Sequence, residues 1–414
     1  MTSEIAALNR GAVAIAADSA MTIGGKVFNS ANKIFSLSRY HPIGIMVYGN
    51  ADFLGIPWET IIKLYRDKYN ETDLPSVKDH CKRFFQFIEQ EANIFDTDYI
   101  EFDIKDRLSS HAKEIFDPIY KDSTVPQKSK IRLKRMVGKK IDDDYKAFQK
   151  HRFVRGFTEN RHSELKGRLE PVLDDVINDA FGDSVSSSLR QRRLKNVLVS
   201  YLTKEWANYG DSGVVITGFG LDEHFPALYC YECRGMIDGV VWRVLRNETV
   251  ISEAMRATLV PFAQTDVTAT FIAGIDPEFS VIIETFMKKA FTGLKRTVRS
   301  KNFSDKADDL LNTFLQSFDQ YRNDKHVNPM IGMLAVLPKD ELAKLAESLV
   351  EITSLKRHVT EERETVGGPI DVAVISKGDG LVWLSRKHYF DAMENPDYFL
   401  RHKKGLRGVA NEKR

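Results

Sequence analysis

At 414 residues the chain exceeds one average domain, so a single core carrying a sizeable insertion is expected. Hydrophobic residues at 43% are ample for that core, and a formal charge of +2 makes the chain neither nucleic-acid-like nor acidic as a whole. Three cysteines argue against a disulfide framework and for a reducing cytoplasm; no run approaches membrane-spanning length, and Ala12–Ala17 is too short, and too soon followed by Asp18, to be a signal peptide.

Taken in chain order, Glu4–Leu8 reads as a short strand, Asn9-Arg-Gly11 as a turn and Ala12–Ala17 as a near-continuous apolar strand of the kind covered on both faces. Asp18-Ser19 ends it. A Gly24-Gly25 turn, Lys26–Phe28, Lys33 with Ile34-Phe35, and a strand at Ile43–Tyr48 follow. Gly49–Asp52 turns the chain into a helix running to about Tyr69, with Ile56, Trp58, Ile61, Ile62 and Leu64 on its apolar side. Helical periodicity marks Ser76–Phe95, Leu169–Phe181 and Ser188–Trp206. Strands are predicted at Val214–Gly220, Ala227–Cys230, Val240–Val244 and Ala269–Ala273, the last leading into a helix over Pro277–Phe291. A long helix is predicted over Lys339–Val359, and a closing hairpin pairs Ile370–Ile375 with Leu381–Leu384 around Gly378-Asp-Gly380. The pattern divides the chain at 1–73, 74–212, 213–390 (with a smaller helical insertion at about 297–323) and a basic tail at 391–414.

Chemistry concentrates at the start. Removal of Met1 would leave Thr2 as the N-terminal residue, with a hydroxyl nucleophile and an α-amine base in one place. An unperturbed α-amine titrates at about 7.7–8.0, so part of it is neutral near pH 7 and able to accept the hydroxyl proton. A lysine ammonium beside that amine disfavours a second positive charge and keeps it a base. An aspartate paired with the lysine would hold it in place.

The segment from Thr2 to Tyr69 resembles the proteasome β-subunit and its bacterial relatives among the N-terminal-nucleophile hydrolases. Thr2 matches the nucleophile, Asp18 in Ala16-Ala-Asp-Ser19 the acid, and Lys33 in Asn32-Lys-Ile34 the active-site lysine. Tyr48-Gly-Asn-Ala-Asp52 looks like the turn that carries the oxyanion amide, through Tyr48 or Gly49. The resemblance implies an α+β fold, a four-layer α-β-β-α sandwich interrupted by the helical insertion at 74–212. It also implies a threonine-type peptidase or amidohydrolase that works through an acyl-enzyme with no metal or organic cofactor. Peptide or protein substrates and a homo-oligomer follow by the same analogy, and the insertion could cap the site, occupy an interface, or recruit an ATPase or other regulatory partner. Thr365–Asp371 looks like the family's segment before the last strands, yet Arg363 and Val366 stand where the family has an aspartate and a serine. The family's second active-site serine should fall at about Ala273-Gly-Ile-Asp276, and that segment holds no serine. Asp276 or Glu364 are the candidates for that supporting role.

Two other classes stay open. One is a catalytically silent scaffold on the same fold. The other is a nucleic-acid-binding protein, since Gln127–Arg168 holds 14 Lys/Arg against five Asp/Glu, interleaved with Tyr145, Phe148, Phe153 and Phe157. A charge-rich helical stretch is more often a solvated face or a subunit contact. Cys230-Tyr-Glu-Cys233 has CxxC spacing, but an odd separation within a strand turns the two side chains to opposite faces, which disfavours zinc. Gly218-Phe-Gly220 lacks the helix and lysine of a phosphate loop.

Overall fold

A computed structural model describes residues 3–23, 26–90, 93–121, 130–185, 187–206, 210–298, 301–360, 367–388, 390–391, 393–397 and 400. The chain is mixed α and β, with antiparallel sheets. β1 (Ser3–Asn9) and β2 (Val13–Ala17) pair with Ile5 opposite Ala16 and Ala7 opposite Ala14, and every residue of both is buried. That double-sided burial is why neither strand alternates. The Asn9 side chain closes their turn, its Oδ1 accepting the N–H groups of Gly11 and Ala12 at 2.9 and 3.1 Å. β3 (Met21–Ile23) and β4 (Lys26–Phe28) form a small hairpin, then come β5 (Ile34–Ser36) and β6 (Ile43–Gly49).

The helix expected directly after β6 starts later. A tight hairpin intervenes, β7 (Asp52–Phe53) with β8 (Ile56–Pro57), around Leu54 and Gly55, both at positive φ as a mirror-image hairpin turn requires. α1 (Trp58–Tyr69) buries Trp58, Ile61, Ile62 and Tyr65, while Leu64 is exposed. There follow α2 (Val77–Gln90), α3 (Thr97–Lys121), α4 (Lys130–Lys150), α5 (Glu159–Arg168), α6 (Glu170–Phe181) and α7 (Ser188–Thr203), then β9 (Ser212–Gly218), β10 (Ala227–Ile237), β11 (Val240–Val250) and β12 (Ala257–Ala263). α8 (Asp266–Ala273), α9 (Pro277–Val298), α10 (Lys301–Arg322), α11 (Asn328–Leu334), α12 (Lys339–Val359), β13 (Asp371–Ser376) and β14 (Gly380–Ser385) complete the order.

Contacts divide the chain into two units, residues 1–34 with 251–414, and residues 35–250. In the first, the sheet order is β12-β1-β2-β13-β14. Leu342, Ala343, Ala346, Leu349 and Val350 of α12 pack on Ile5, Ala7, Ala14, Ala16, Val372 and Val374, one face of that sheet. Small alanines on both surfaces let helix and sheet approach closely. By alternation Glu4, Ala6 and Leu8 belong to the other face of β1.

The strand expected at Ala269–Ala273 is instead α8. Asp266 in its first turn pairs with Lys356 and Arg357 of α12, and Gly274 ends it in the left-handed region at φ 69°. These cap signals outweigh the β-branched and aromatic residues that suggested a strand.

In the second unit the sheet order is β11-β10-β9-β6-β5. α1 and α2 cover it, with Tyr65, Phe84, Phe85 and Phe87 packed on Ile45, Val214, Ile216 and Tyr229. Helices α3–α7 build a separate cluster around Leu108, Ile141, Phe148, Leu173 and Leu198, which closes on Ile237, Trp242 and Val244 of β10 and β11. Cys81, Cys230 and Cys233 are buried thiols.

Candidate active site

Thr2 and Glu364, with Arg363 and Val366, lie outside the described residues. Asp18 and Lys33 are described, and the first unit brings them together. Asp18 follows the last residue of β2, and Lys33 immediately precedes β5. Lys33 Nζ lies 2.6 Å from Asp18 Oδ1, with both side chains almost wholly buried. At this depth water screens the pair weakly, and the short contact is that of a charge-assisted hydrogen bond.

The Asp18 carboxylate also receives backbone donors. Oδ1 accepts the N–H of Ser3 at 3.0 Å; Oδ2 accepts those of Gly367 at 3.0 Å and Ala20 at 3.2 Å. The Asp18 N–H in turn donates to the Ser3 carbonyl at 3.1 Å. One carboxylate therefore fixes the lysine, the first turn after β2, the chain entering β13, and the backbone of the residue that follows Thr2. Gly367 is bound on both sides, because its carbonyl accepts the Ser19 N–H at 3.1 Å while Ser19 Oγ donates to the Pro369 carbonyl. Gly368 sits at φ 76°, and a Cβ there would fall 2.7 Å from Asn29 Cβ, so glycine is required for this approach.

The other proposed site residues have their own settings. Asp276 accepts the N–H groups of Glu278 and Phe279 at 2.9 and 3.0 Å, so its carboxylate caps α9. Tyr48 and Gly49 end β6 in the second unit. The Tyr48 ring covers Gly213, where a Cβ would fall 1.9 Å from the ring, and its hydroxyl lies 3.3 Å from Cys230 Sγ. Gly49 adopts φ 83°, and a Cβ there would meet the Asp211 carbonyl at 2.4 Å.

Glu4 is the residue that sequence reasoning missed. It sits on β1 opposite Ala17, is wholly buried, and neither carboxyl oxygen has a hydrogen-bond partner among the described residues. Burial pushes its carboxyl well above the ordinary carboxylate range, against the pull of Lys33 and with the push of Asp18. The signal was present as an acidic residue inside a strand that is otherwise apolar.

The basic stretch has a structural explanation. Phe148 and Phe157 are buried in the cluster of α3–α7, and Tyr145 and Phe153 pack half-buried against it. Lys140 pairs with Asp144 at 2.6 Å, and Arg193 with Asp142 at 2.7 Å. Arg193 lies over the Tyr145 ring, Lys204 over the Phe153 ring and Arg161 over the Phe157 ring.

Among the described residues no group of three or more His, Cys, Asp or Glu is placed to hold a metal ion, and no helix is long and apolar enough to cross a membrane.

No protein-family model matches the chain, and no curated protein matches it. Solved structures similar to it include the Gly-1 mutant of Anbu from Hyphomicrobium sp. strain MC1, at 9% identity and TM-score 0.30, covering 99% of this chain and 97% of that one. Anbu from the same strain gives 9% identity and TM-score 0.31, covering 99% and 97%. Anbu from Yersinia bercovieri, described as an ancestral beta-subunit, gives 10% identity and TM-score 0.31, covering 99% and 95%. At such scores the likeness establishes neither a shared fold nor a shared activity, and the site is read from its own residues.

Proposed function

We propose that this chain is a proteasome-like N-terminal threonine hydrolase that cleaves peptide or other amide bonds through an acyl-enzyme once Met1 is removed. The observation that supports it is the buried Lys33–Asp18 pair, whose carboxylate also holds the backbone of Ser3, one residue after Thr2. In this reading the Thr2 hydroxyl attacks the carbonyl while the α-amine takes its proton and then delivers it to the leaving amine. Water resolves the ester. Lys33 keeps the amine uncharged by repulsion, and Asp18 fixes Lys33. A backbone N–H near Tyr48 or Gly49 would stabilise the oxyanion, an effect often worth about 10²–10³ in rate.

The reading includes a four-layer α-β-β-α sandwich, in keeping with a helix-covered five-stranded sheet in each unit. It also includes a cytoplasmic setting and a homo-oligomer open to a regulatory partner such as an ATPase. The test is the intact mass of untagged protein before and after exposure to a β-lactone that acylates N-terminal threonine. Loss of Met1 and one adduct are expected, with no adduct on Thr2→Ala. Retained Met1, or an adduct that persists in the variant, would sink the mechanism.

A second reading, a catalytically silent scaffold, is favoured by the use of Asp276 as a helix cap. Processed but unreactive protein would select it.

A further inference from the structure

The mechanism leaves the carboxyl of Glu4 unused. It is wholly buried, it has no hydrogen-bond partner among the described residues, and the charges that act on it are Lys33 and Asp18. The register explains the proximity. Glu4 lies directly opposite Ala17 on β2, and Asp18 is the next residue along.

The strands flanking β1 supply no other titratable group, since β2 reads VAIAA and β12 reads ATLVPFA. Two strands across, at about 10 Å by ordinary strand spacing, Asp371 faces the same side opposite Ala17 and is already paired with Lys387. α12 packs on the face opposite to Glu4.

The two carboxyls beside Lys33 thus differ sharply. Asp18 has three backbone donors and the ammonium, the surroundings an anion needs. Glu4 has no donor among the described residues, and a buried carboxylate without donors takes up a proton rather than stay charged.

We propose that Glu4 is a positioning residue of the candidate site, a neutral carboxylic acid whose proton leaves the Lys33–Asp18 pair of opposite charges undisturbed. The proposal rests on the reading of Thr2 as nucleophile. While Glu4 is neutral, the Lys33 charge acts on the N-terminal amine and keeps it a base. When Glu4 gives its proton to hydroxide as pH rises, forming water, a second negative charge offsets Lys33. The amine then holds its proton more tightly, so a larger share of it stays protonated at a given pH near its own titration.

The experiment follows β-lactone acylation of the full chain by intact mass across the neutral and alkaline range, in the parent and in Glu4→Gln, which cannot ionise. Glu4→Gln is expected to reach its full rate at lower pH than the parent, in which ionised Glu4 holds the amine protonated to higher pH. Coincident pH–rate curves for the two proteins would overturn the proposal. Infrared spectroscopy of the parent and of Thr2→Ala, with and without 13C-glutamate, gives a measure that needs neither folding of Glu4→Gln nor catalysis. A protonated-carboxyl band at neutral pH that shifts with the label supports neutral Glu4, and its absence overturns it. The band without any adduct on the parent removes the Thr2 reading and leaves neutral Glu4 standing; an adduct without the band does the reverse.

Discussion

Asp18 holds four donors on two oxygens, so its removal reaches further than the loss of one ion pair. Asp18→Asn keeps the shape but leaves the Lys33 ammonium buried without a counter-charge, and breaking a buried pair this way costs about 3–5 kcal/mol. Urea denaturation should show that loss; a variant as stable as the parent would mean that Lys33 finds water or another partner. Glu4 acts in the opposite sense. Its folded form holds a proton that the unfolded chain releases above the ordinary value of 4.5, so it favours the fold less and less as pH rises past that value. Relative to Glu4→Gln, the parent should therefore lose about 1.4 kcal/mol of stability per pH unit until Glu4 itself ionises. Parallel stability curves for the two proteins would contradict its burial as a neutral acid. Asp18 and Lys33 were legible in the sequence only through the family resemblance of the segment from Thr2 to Tyr69, since a strand-end aspartate and a lone lysine carry no signal of their own. Glu4 was not, because a lone glutamate in an apolar strand gives no sign of whether the fold supplies it with donors.

At the scale of elements, local pattern worked where period and caps agreed. α12 runs from Lys339 to Val359 as its periodicity predicts, and β1, β2, β13 and β14 fall on their apolar runs. β12 escaped detection because Pro261 interrupts it. The strand is tolerated because it lies at the sheet edge, where one side of its backbone needs no ladder partner. α8 was misread for the opposite reason: short apolar runs suit strand and helix alike, and only its caps and its ion pairs with α12 decide. The close seating of α12 can be tested through Ala346, which is fully buried between helix and sheet. Ala346→Leu inserts side-chain volume where none is free and should cost about 1–3 kcal/mol, read as a lower denaturation midpoint. An unchanged midpoint would show a looser helix–sheet seam.

Over the whole molecule, α9 is the element least explained by the chain's own packing. It buries no side chain, and Phe279, Ile282, Phe286 and Leu294 form an exposed apolar stripe along it. Such a stripe suits the oligomer proposed above. Sedimentation should find a species larger than a monomer, reduced in size by Ile282→Glu with Phe286→Glu; a monomeric parent would remove the proposal. The second unit carries a pH liability of its own. Burial, and then the nearby His41, lower His80 to about 4, against the pull of Asp79. The unfolded chain therefore binds a proton that the fold refuses as pH falls from about 6.5 to 4, a loss on the order of 3 kcal/mol that His80→Leu should abolish. Equal acid sensitivity in the two proteins would refute it.

By itself the sequence determined most strands and long helices, through hydrophobic period and turn residues, which are local properties set by side chains a few positions apart; it nominated Thr2 by its chemistry and Asp18 and Lys33 through a family resemblance. Only the tertiary structure decided that Asp18 also clamps Gly367, 349 positions away, and that Phe148 and Phe157 of the basic stretch are core. It alone showed Glu4 buried without a donor among the described residues. Burial and hydrogen-bond supply depend on residues hundreds of positions apart, and no local pattern records them.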